Sequence, residues 1–338
     1  MSRKKAVTIS DVAKHLNISK STVSQYLNGR YEYMAEDTRK KIEQAIEEME
    51  YSPNSLAQSL KNKKTSTIGV IVANILHSFS TQIIRAIEDI CFNEKVHVII
   101  CNADDDPQKE EDYIRMLMAK QVDGFIIFPT GSNPSVYSKM IANQIPTIFL
   151  DRIIPDFKIN TLLLDNYKAS ELAVEAFYQK GHKNIAMITM EAKHHVTPRI
   201  ERIAGFCHAL EKRNLEVKEE YILSDYLHNM QNRLKDLFDK KTAPSAIFAG
   251  NDLTLLEVLT YCKKNNLRIP EDISIISVDD VSFADIYEPA LTTISQPAHD
   301  IGAKAASLLL DQIQGKEPLS RIHRFAPSLI ERSSVSQK

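Results

Sequence analysis

The sequence predicts a multidomain chain: an all-α helix–turn–helix head, then an α/β core of two lobes built on parallel sheets. Three observations predict it. Residues 8–50 place apolar residues at helical spacing between short polar turns. From residue 66 onward, short apolar runs alternate with amphipathic stretches, the pattern of successive βαβ units. Charge divides at the same place. Residues 1–65 hold 12 Lys/Arg and 8 Asp/Glu, a charge of +4, so with −2 overall the remainder carries −6. A basic head on an acidic body suits a nucleic-acid-binding module joined to a domain with another task.

The head is read from TISDVAKHLNISKSTVSQYLNG, residues 8–29. Ile9, Val12, Ala13 and Leu16 fall on one helical face, with Asp11 in the first turn. Asn17 stands where the turn needs a residue that tolerates a left-handed backbone, and Ile18 plugs the angle between helices. Ser19 caps a second helix, Lys20 to Leu27, which Asn28-Gly29 ends. Val23 and Leu27 face inward. Lys20, Ser21, Ser24 and Gln25 face outward, and such a polar helix end fits the major groove. Residues 30–35 form a loop, and a third helix over about 36–50 turns Ile42, Ala45, Ile46 and Met49 inward. In residues 51–65, Pro53 can start a helix with Leu56, Ala57 and Leu60 on one side, too short to be stable alone.

Residues 8–29 resemble the N-terminal signature of the LacI/GalR bacterial transcription regulators, T-I-x-D-V-A-x-x-A-G-V-S-x-x-T-V-S-R-x-L-N. Asn17 replaces the family Gly, and Gln25 replaces the family Arg. Arg suits guanine and Gln suits adenine, so this head is expected to read a different base there. The resemblance implies operator-DNA contacts by Thr8, Ser19, Lys20, Ser21, Thr22, Ser24, Gln25 and Asn28. It also implies a head over 1–50 and a hinge over 51–65 that folds on the operator. In that hinge Asn54 and Gln58 would meet DNA, and Leu60 would be a wedge in the minor groove. A basic arm, residues 1–7, would contact phosphates.

In the core, apolar runs read as buried strands at 67–73, 97–101, 125–128, 147–150, 162–164, 185–189, 246–249 and 273–278. Amphipathic stretches at 80–93, 107–119, 167–180, 199–213, 229–240 and 252–265 read as helices. GFIIFPT…IPTIFLDR is echoed by SAIFAGN…DISIISVDD, as two similar lobes would be. The expected lobes are 66–160 with 291–320, and 161–290 with 321–335. The strands run into polar residues, among them Asn74, Asn102, Thr130, Asp151-Arg152, Asn251-Asp252 and Asp279-Asp280. Ligands of open α/β sheets bind beyond the carboxyl ends of strands, and such groups suit a polyhydroxylated molecule. No GxGxxG or GxxxxGK[ST] loop occurs, the four cysteines have no metal-ligand spacing, and no apolar run approaches a membrane span. No cofactor, metal or catalytic residue is expected.

The resemblance extends over nearly the whole chain, through TSTIGVIVANI, KQVDGFIIFPTG, KGHKNIAMIT, RIERIAGFCHAL and LTTISQPAHDIGAKA. It implies a periplasmic-binding-protein-like core, a homodimer on a pseudo-palindromic operator, and a cytoplasmic, nucleoid-associated protein. Asp151, Arg202, Asn251 and Asp279 fall at the family's effector-contacting positions, with Arg152 and Arg199 as further candidates. Phe79 lies where the common N-P-F-F segment belongs, but the chain reads His77-Ser78-Phe79-Ser80. CNADDDPQKE, FPTG, FLDR, VTPRIER and DDVSFAD look most like the 2-keto-3-deoxygluconate regulators of pectin and uronate breakdown. The implied function is a repressor of carbohydrate catabolism released from its operator by a small sugar or sugar acid; the competing reading is a regulator of the same fold that a neutral sugar activates as co-repressor. Two other functions compete. His182, His194, His195 and His299 could serve a sugar-acting enzyme, though no nucleophile or metal motif frames them. A transport-type sugar-binding protein would share the lobes but not the head.

Overall fold

The computed structural model describes residues 7–32, 34–52, 64–192, 196–240, 242–316 and 320–338. Asn54, Gln58 and Leu60, and with them most of the expected hinge, lie outside the described residues, as do His194 and His195. The chain divides into two compact units between Thr65 and Ser66.

The head contains helices α1 (Ile9–His15), α2 (Lys20–Leu27) and α3 (Glu36–Glu48). Asn17 has φ 54°, the left-handed turn expected of it. The turn is closed by the Ile18 N–H donating to the Ala13 carbonyl at 3.0 Å. Ser19 Oγ accepts from the Thr22 N–H at 3.1 Å, an N-cap that satisfies one of the orphan donors of α2. Val12, Ala13, Val23, Ile42 and Ala45 are buried together with Tyr51, and Leu27, Ile46 and Met49 pack against them partly buried. Tyr51 lies beyond α3, so the small core takes in the first residue of the expected hinge.

The second unit holds two six-stranded sheets. The first runs β11-β5-β4-β3-β1-β2, all parallel. Its strands are β1 (Thr67–Val72), β2 (His97–Asn102), β3 (Gly124–Ile127), β4 (Thr147–Leu150), β5 (Asn160–Leu164) and β11 (Ile322–Phe325). The second runs β12-β10-β9-β8-β6-β7. It is built from β6 (Ile185–Met190), β7 (Ile222–Asp225), β8 (Ala246–Ala249), β9 (Ser274–Val278), β10 (Thr292–Ser295) and β12 (Ser328–Ile330). Only β12 in this sheet is antiparallel to its neighbour, β10. The central strands are buried along their whole length, as parallel strands covered on both faces must be.

The sheets correct the expected lobe boundaries. β5 belongs to the first sheet rather than the second, β10 to the second rather than the first, and β11 to the first rather than the second. The chain therefore passes between lobes three times: after β5, after β10 and after β11. Sheet membership is decided by long-range pairing, such as Thr161 with Ile322, which local pattern does not encode.

The helices of the core include α4 (Ser78–Asn93), α5 (Pro107–Ala119), α6 (Pro134–Ala142), α7 (Asn166–Gln179), α8 (Thr197–Lys212), α9 (Met230–Phe238), α10 (Asp252–Lys264) and α11 (Ala298–Ile313). Each lobe has one close helix pair that meets at a glycine. Between α4 and α11, a Cβ at Gly302 would lie 2.8 Å from the Ile83 carbonyl oxygen and 2.8 Å from Ala86 Cβ. Between α7 and α8, a Cβ at Gly205 would lie 2.8 Å from Tyr167 Cα. Backbone cannot move aside as a flexible side chain can. Gly302→Ala should therefore lower unfolding free energy by about 1–3 kcal/mol, read as a lower urea midpoint. An unchanged midpoint would show that α4 and α11 are free to move apart.

Candidate functional site

Two surfaces gather the expected functional residues, one in each unit. On the head, Lys20, Ser21, Gln25 and Asn28 are exposed along or just after α2, while Thr22 and Ser24 are partly buried. The hydroxyls are less available than the sequence implied. Ser19 Oγ, besides capping, lies 2.6 Å from Ser21 Oγ and 2.9 Å from Thr22 Oγ1. Thr8 Oγ1 donates to Asp11 at 2.7 Å, so this residue starts α1. The Asn28 amide donates back to the Ser24 carbonyl. Lys20 and Gln25 remain the long, exposed side chains of the helix.

In the core, Phe79, Asp151, Arg152, Arg199, Arg202, Asn251 and Asp279 all line one cleft with an empty volume of about 550 Å³. It lies beyond the carboxyl ends of β1, β4, β6, β8 and β9, where the pleat ends and loops begin. The repeated segments IPTIFLDR and DISIISVDD explain two of its walls. Asp151 and Asp279 each follow the last residue of a strand with positive φ, 64° and 78°. Each backbone N–H bonds the neighbouring strand, Asp151 to the Leu162 carbonyl at 2.8 Å and Asp279 to that of Ile294 at 3.0 Å. The same turn thus places one carboxylate from each lobe in the cleft.

The cationic side is held as firmly. Arg202, buried on α8, donates through Nε to Asn166 Oδ1 at 2.9 Å and through Nη1 to the Gly250 carbonyl at 2.6 Å. Arg152 donates through Nη1 to the Pro129 carbonyl at 3.1 Å, and Arg199 through Nη1 to the Glu191 carbonyl at 2.9 Å. Both also reach Asp105. Arg152 Nη2 meets its Oδ1 at 2.6 Å, and Arg199 Nη2 meets its Oδ2 at 3.1 Å. Burial alone would raise the Asp105 pKa, but the two guanidiniums outweigh it and hold the carboxyl below its usual range.

Asn251 caps α10 by accepting from the Thr254 N–H at 2.9 Å, which commits its side-chain carbonyl to the helix end, while its amide donates to Met190 Sδ at 3.4 Å. Asp279 accepts from Gln296 Nε2 at 2.6 Å and from the Asp252 N–H at 3.3 Å. Burial first, then the Asp252 carboxylate, push its pKa upward. Asp252 moves the other way. Burial raises it, but His77 and the Ser78 N–H prevail, with His77 Nδ1 at 2.6 Å and the Ser78 N–H at 2.7 Å.

Several of these contacts join the lobes. His77 and Ser78 meet Asp252 on one side, and Asp105 meets Arg199 on another. Further along, the Ile153 N–H donates to Thr197 Oγ1 at 2.8 Å, and Arg324 grips Glu201 through both terminal nitrogens at 2.9 and 2.6 Å. Asp105, His77 and Gln296 line or brace the cleft without having been singled out from sequence. Asp105 was one of three consecutive aspartates, and Gln296 follows β10, a strand whose pattern is too short to read. His182 serves structure: its ring nitrogens meet Ser245 Oγ at 2.8 Å and the Ser336 carbonyl at 3.1 Å. His299 is exposed, and no group of three His, Cys, Asp or Glu among the described residues could hold a metal.

Comparison with known proteins agrees with this geometry. Residues 8–54 match the model of bacterial regulatory proteins of the lacI family, and residues 174–335 match a periplasmic binding protein-like domain. A Paenibacillus polymyxa protein named "Probable HTH-type transcriptional regulator EndR" is 48% identical over 97% of this chain and 98% of its own. The chain belongs to the LacI family of bacterial regulatory proteins. The HTH-type transcriptional regulator KdgR of Bacillus subtilis is 34% identical over 97% of both chains. Among solved structures, the lac repressor dimer bound to operator and the anti-inducer ONPF superimposes with a TM-score of 0.87 at 25% identity, over 98% of this chain and 100% of that one. The LacI-family fold thus accounts for the head and for both lobes of the core. Among the described residues no helix is long and apolar enough to cross a membrane.

The raised Asp279 carboxyl is a stored instability. A carboxyl whose folded pKa lies above its unfolded one favours folding fully only below the unfolded value, about 3.9, and loses that contribution as pH rises through the folded pKa. Asp279→Asn removes the buried charge, and the Gln296 amide, whose Oε1 is buried without a partner, can turn to accept from it. The variant should melt at a higher temperature than the parent at pH 7. The gap should narrow as pH falls toward 4, and a gap constant with pH would assign Asp279 an ordinary titration.

Proposed function

We propose that this LacI-family protein is a homodimeric repressor of carbohydrate catabolism, released from a pseudo-palindromic operator by a sugar acid. The observation that carries the ligand class is the wall of the cleft. Arg152, Arg199 and Arg202 bring three guanidiniums to one polar cavity that also offers the carboxylates of Asp151 and Asp279. Guanidinium forks suit a carboxylate, and carboxylates accept from sugar hydroxyls. The 2-keto-3-deoxygluconate class named by the sequence resemblance fits this mixture. Phe79, buried to 8% exposure, offers the cleft an apolar surface.

The regulatory step follows from the lobes. A ligand between them changes which interlobe contacts are favourable, and a two-state arrangement of lobes can be read by the DNA-binding parts of a dimer. The homodimer reading is supported by exposed apolar side chains in the first lobe, Phe92 near the end of α4 at 74% and Ile100 on the edge strand β2 at 42%. It also draws on the dimer of the lac repressor structure. One head would read a half-site, and twofold symmetry would pair two of them. In this reading the head contacts bases chiefly through Lys20 and Gln25. The protein is a cytoplasmic regulator and not an enzyme.

A neutral sugar is the second reading. The observation that favours it is Asp105, which already neutralises part of the Arg152–Arg199 charge.

Fluorescence anisotropy on an operator recovered by selection from genomic fragments tests both. At fixed salt, 2-keto-3-deoxygluconate should weaken operator binding at least about tenfold, and by linkage operator should weaken ligand binding equally. Release by a neutral sugar alone would favour the second reading, and operator binding no tighter than to random DNA would sink both. Gln25→Arg should shift the preferred base from adenine to guanine at one symmetric position, by about 1–3 kcal/mol. An unshifted preference would remove Gln25 from base readout.

A further inference from the structure

We propose that Arg152 and Arg199 form an anion site across the two lobes that Asp105 fills in this structure, and that a ligand carboxylate binds there by displacing Asp105. The inference rests on the ligand site described above and adds how an acid would enter it.

The geometry is that of a bridging carboxylate. One Asp105 oxygen serves Arg152 in the first lobe, and the other serves Arg199 in the second. A sugar acid presents the same two oxygens, so the exchange replaces one bridge with another; the displaced Asp105 stays nearby, and the ligand's charge brings the two guanidiniums and two carboxylates to neutrality. The guanidiniums do not depend on Asp105 for position. Backbone carbonyls at Pro129 and Glu191 hold them from the other side. Arg152 Nε is buried with no partner, so this guanidinium has donor capacity that Asp105 leaves unused.

Asp105 also has reasons to leave. It lies in a loop where Asp104 and Asp105 both have positive φ, 54° and 56°. Successive left-handed non-glycine residues are a strained arrangement that persists where surrounding bonds hold it. A second chamber, with an empty volume of about 1050 Å³, adjoins the cleft and shares Asn74, Arg152, Val196 and Arg199 with it. Its wall includes Asp105 and Ser132, so a displaced carboxylate has space and hydroxyl company there. Asp105 competes with a ligand carboxylate and has nothing to exchange with a neutral sugar, so it lowers acid affinity selectively, which makes it a specificity-determining residue.

Calorimetry on the full chain tests this, with 2-keto-3-deoxygluconate and galacturonate as acids and galactose and glucose as neutral probes. Asp105→Asn removes the competing charge, so the ratio of acid to neutral affinity should rise about tenfold or more over the parent. Asp105→Glu keeps the charge and should show a smaller rise. If the parent binds only a neutral sugar while Asp105→Asn gains an acid, the anion site stands and the sugar-acid reading of the natural ligand fails. If Asp105→Asn binds acids no better than the parent, or neither binds them, displacement is wrong. Asp105→Ser, smaller and uncharged, is the second variant. Loss of cooperative melting in both neutral variants would also overturn the proposal, because a bond required for folding cannot be exchanged for a ligand.

Discussion

The core is governed by one constraint: several charged groups must remain charged, or be compensated, while lying between two lobes and largely out of water. Moving an ion out of water costs several kcal/mol unless hydrogen bonds and counter-charges replace the solvent. The chain meets that cost with carbonyls for the arginines, guanidiniums for Asp105, and a histidine and a backbone N–H for Asp252. Asp279 is the group left least compensated, and burial pushes its carboxyl upward accordingly. Most of these partners sit on different strands or helices. The sheets must therefore be in register before the cleft is tolerable.

Those compensating bonds also explain why the lobes have a preferred arrangement. Asp105–Arg199, His77–Asp252 and Arg324–Glu201 are each contacts between lobes, and each is charge-assisted or can become so. A few such contacts around a cleft can favour one geometry without making it rigid, since a ligand supplying equivalent groups can substitute for some of them. The cleft is thus both the place where a ligand fits and the place where the lobe arrangement is decided.

Much of this was legible in the sequence where local chemistry dictates local structure. Asn17 and Ser19 could be assigned by what a tight turn and an N-cap demand, and the structure gives them φ 54° and the Thr22 bond. The helices at 107–119 and 252–264 and the strands at 147–150 and 246–249 follow from periodicity. What escaped was decided at long range. β7, β10, β11 and β12 are short, and the last two are largely exposed or half-buried, so their pattern is faint. α6 is brief, and in α11 alanines and Gly302 dilute the apolar count. The exchange of strands between lobes has no local signature at all. In the cleft, strand-end polar residues were recoverable by rule, whereas Asp105 could be told from its acidic neighbours only by the arginines it meets.

The threefold passage between lobes has a consequence for how the molecule comes into being. Neither lobe is a continuous piece of chain. The first sheet receives its sixth strand only from residues 322–325, and the second receives its own from residues 328–330. During synthesis, both sheets must wait with an open edge beside β5 and β10 until residues 322–330 have been made. Such late, distant pairing slows folding and leaves strand edges exposed meanwhile. Truncation before residue 322 should consequently injure both lobes together, and residues 322–330 act as a shared closing seam rather than as the tail of either one.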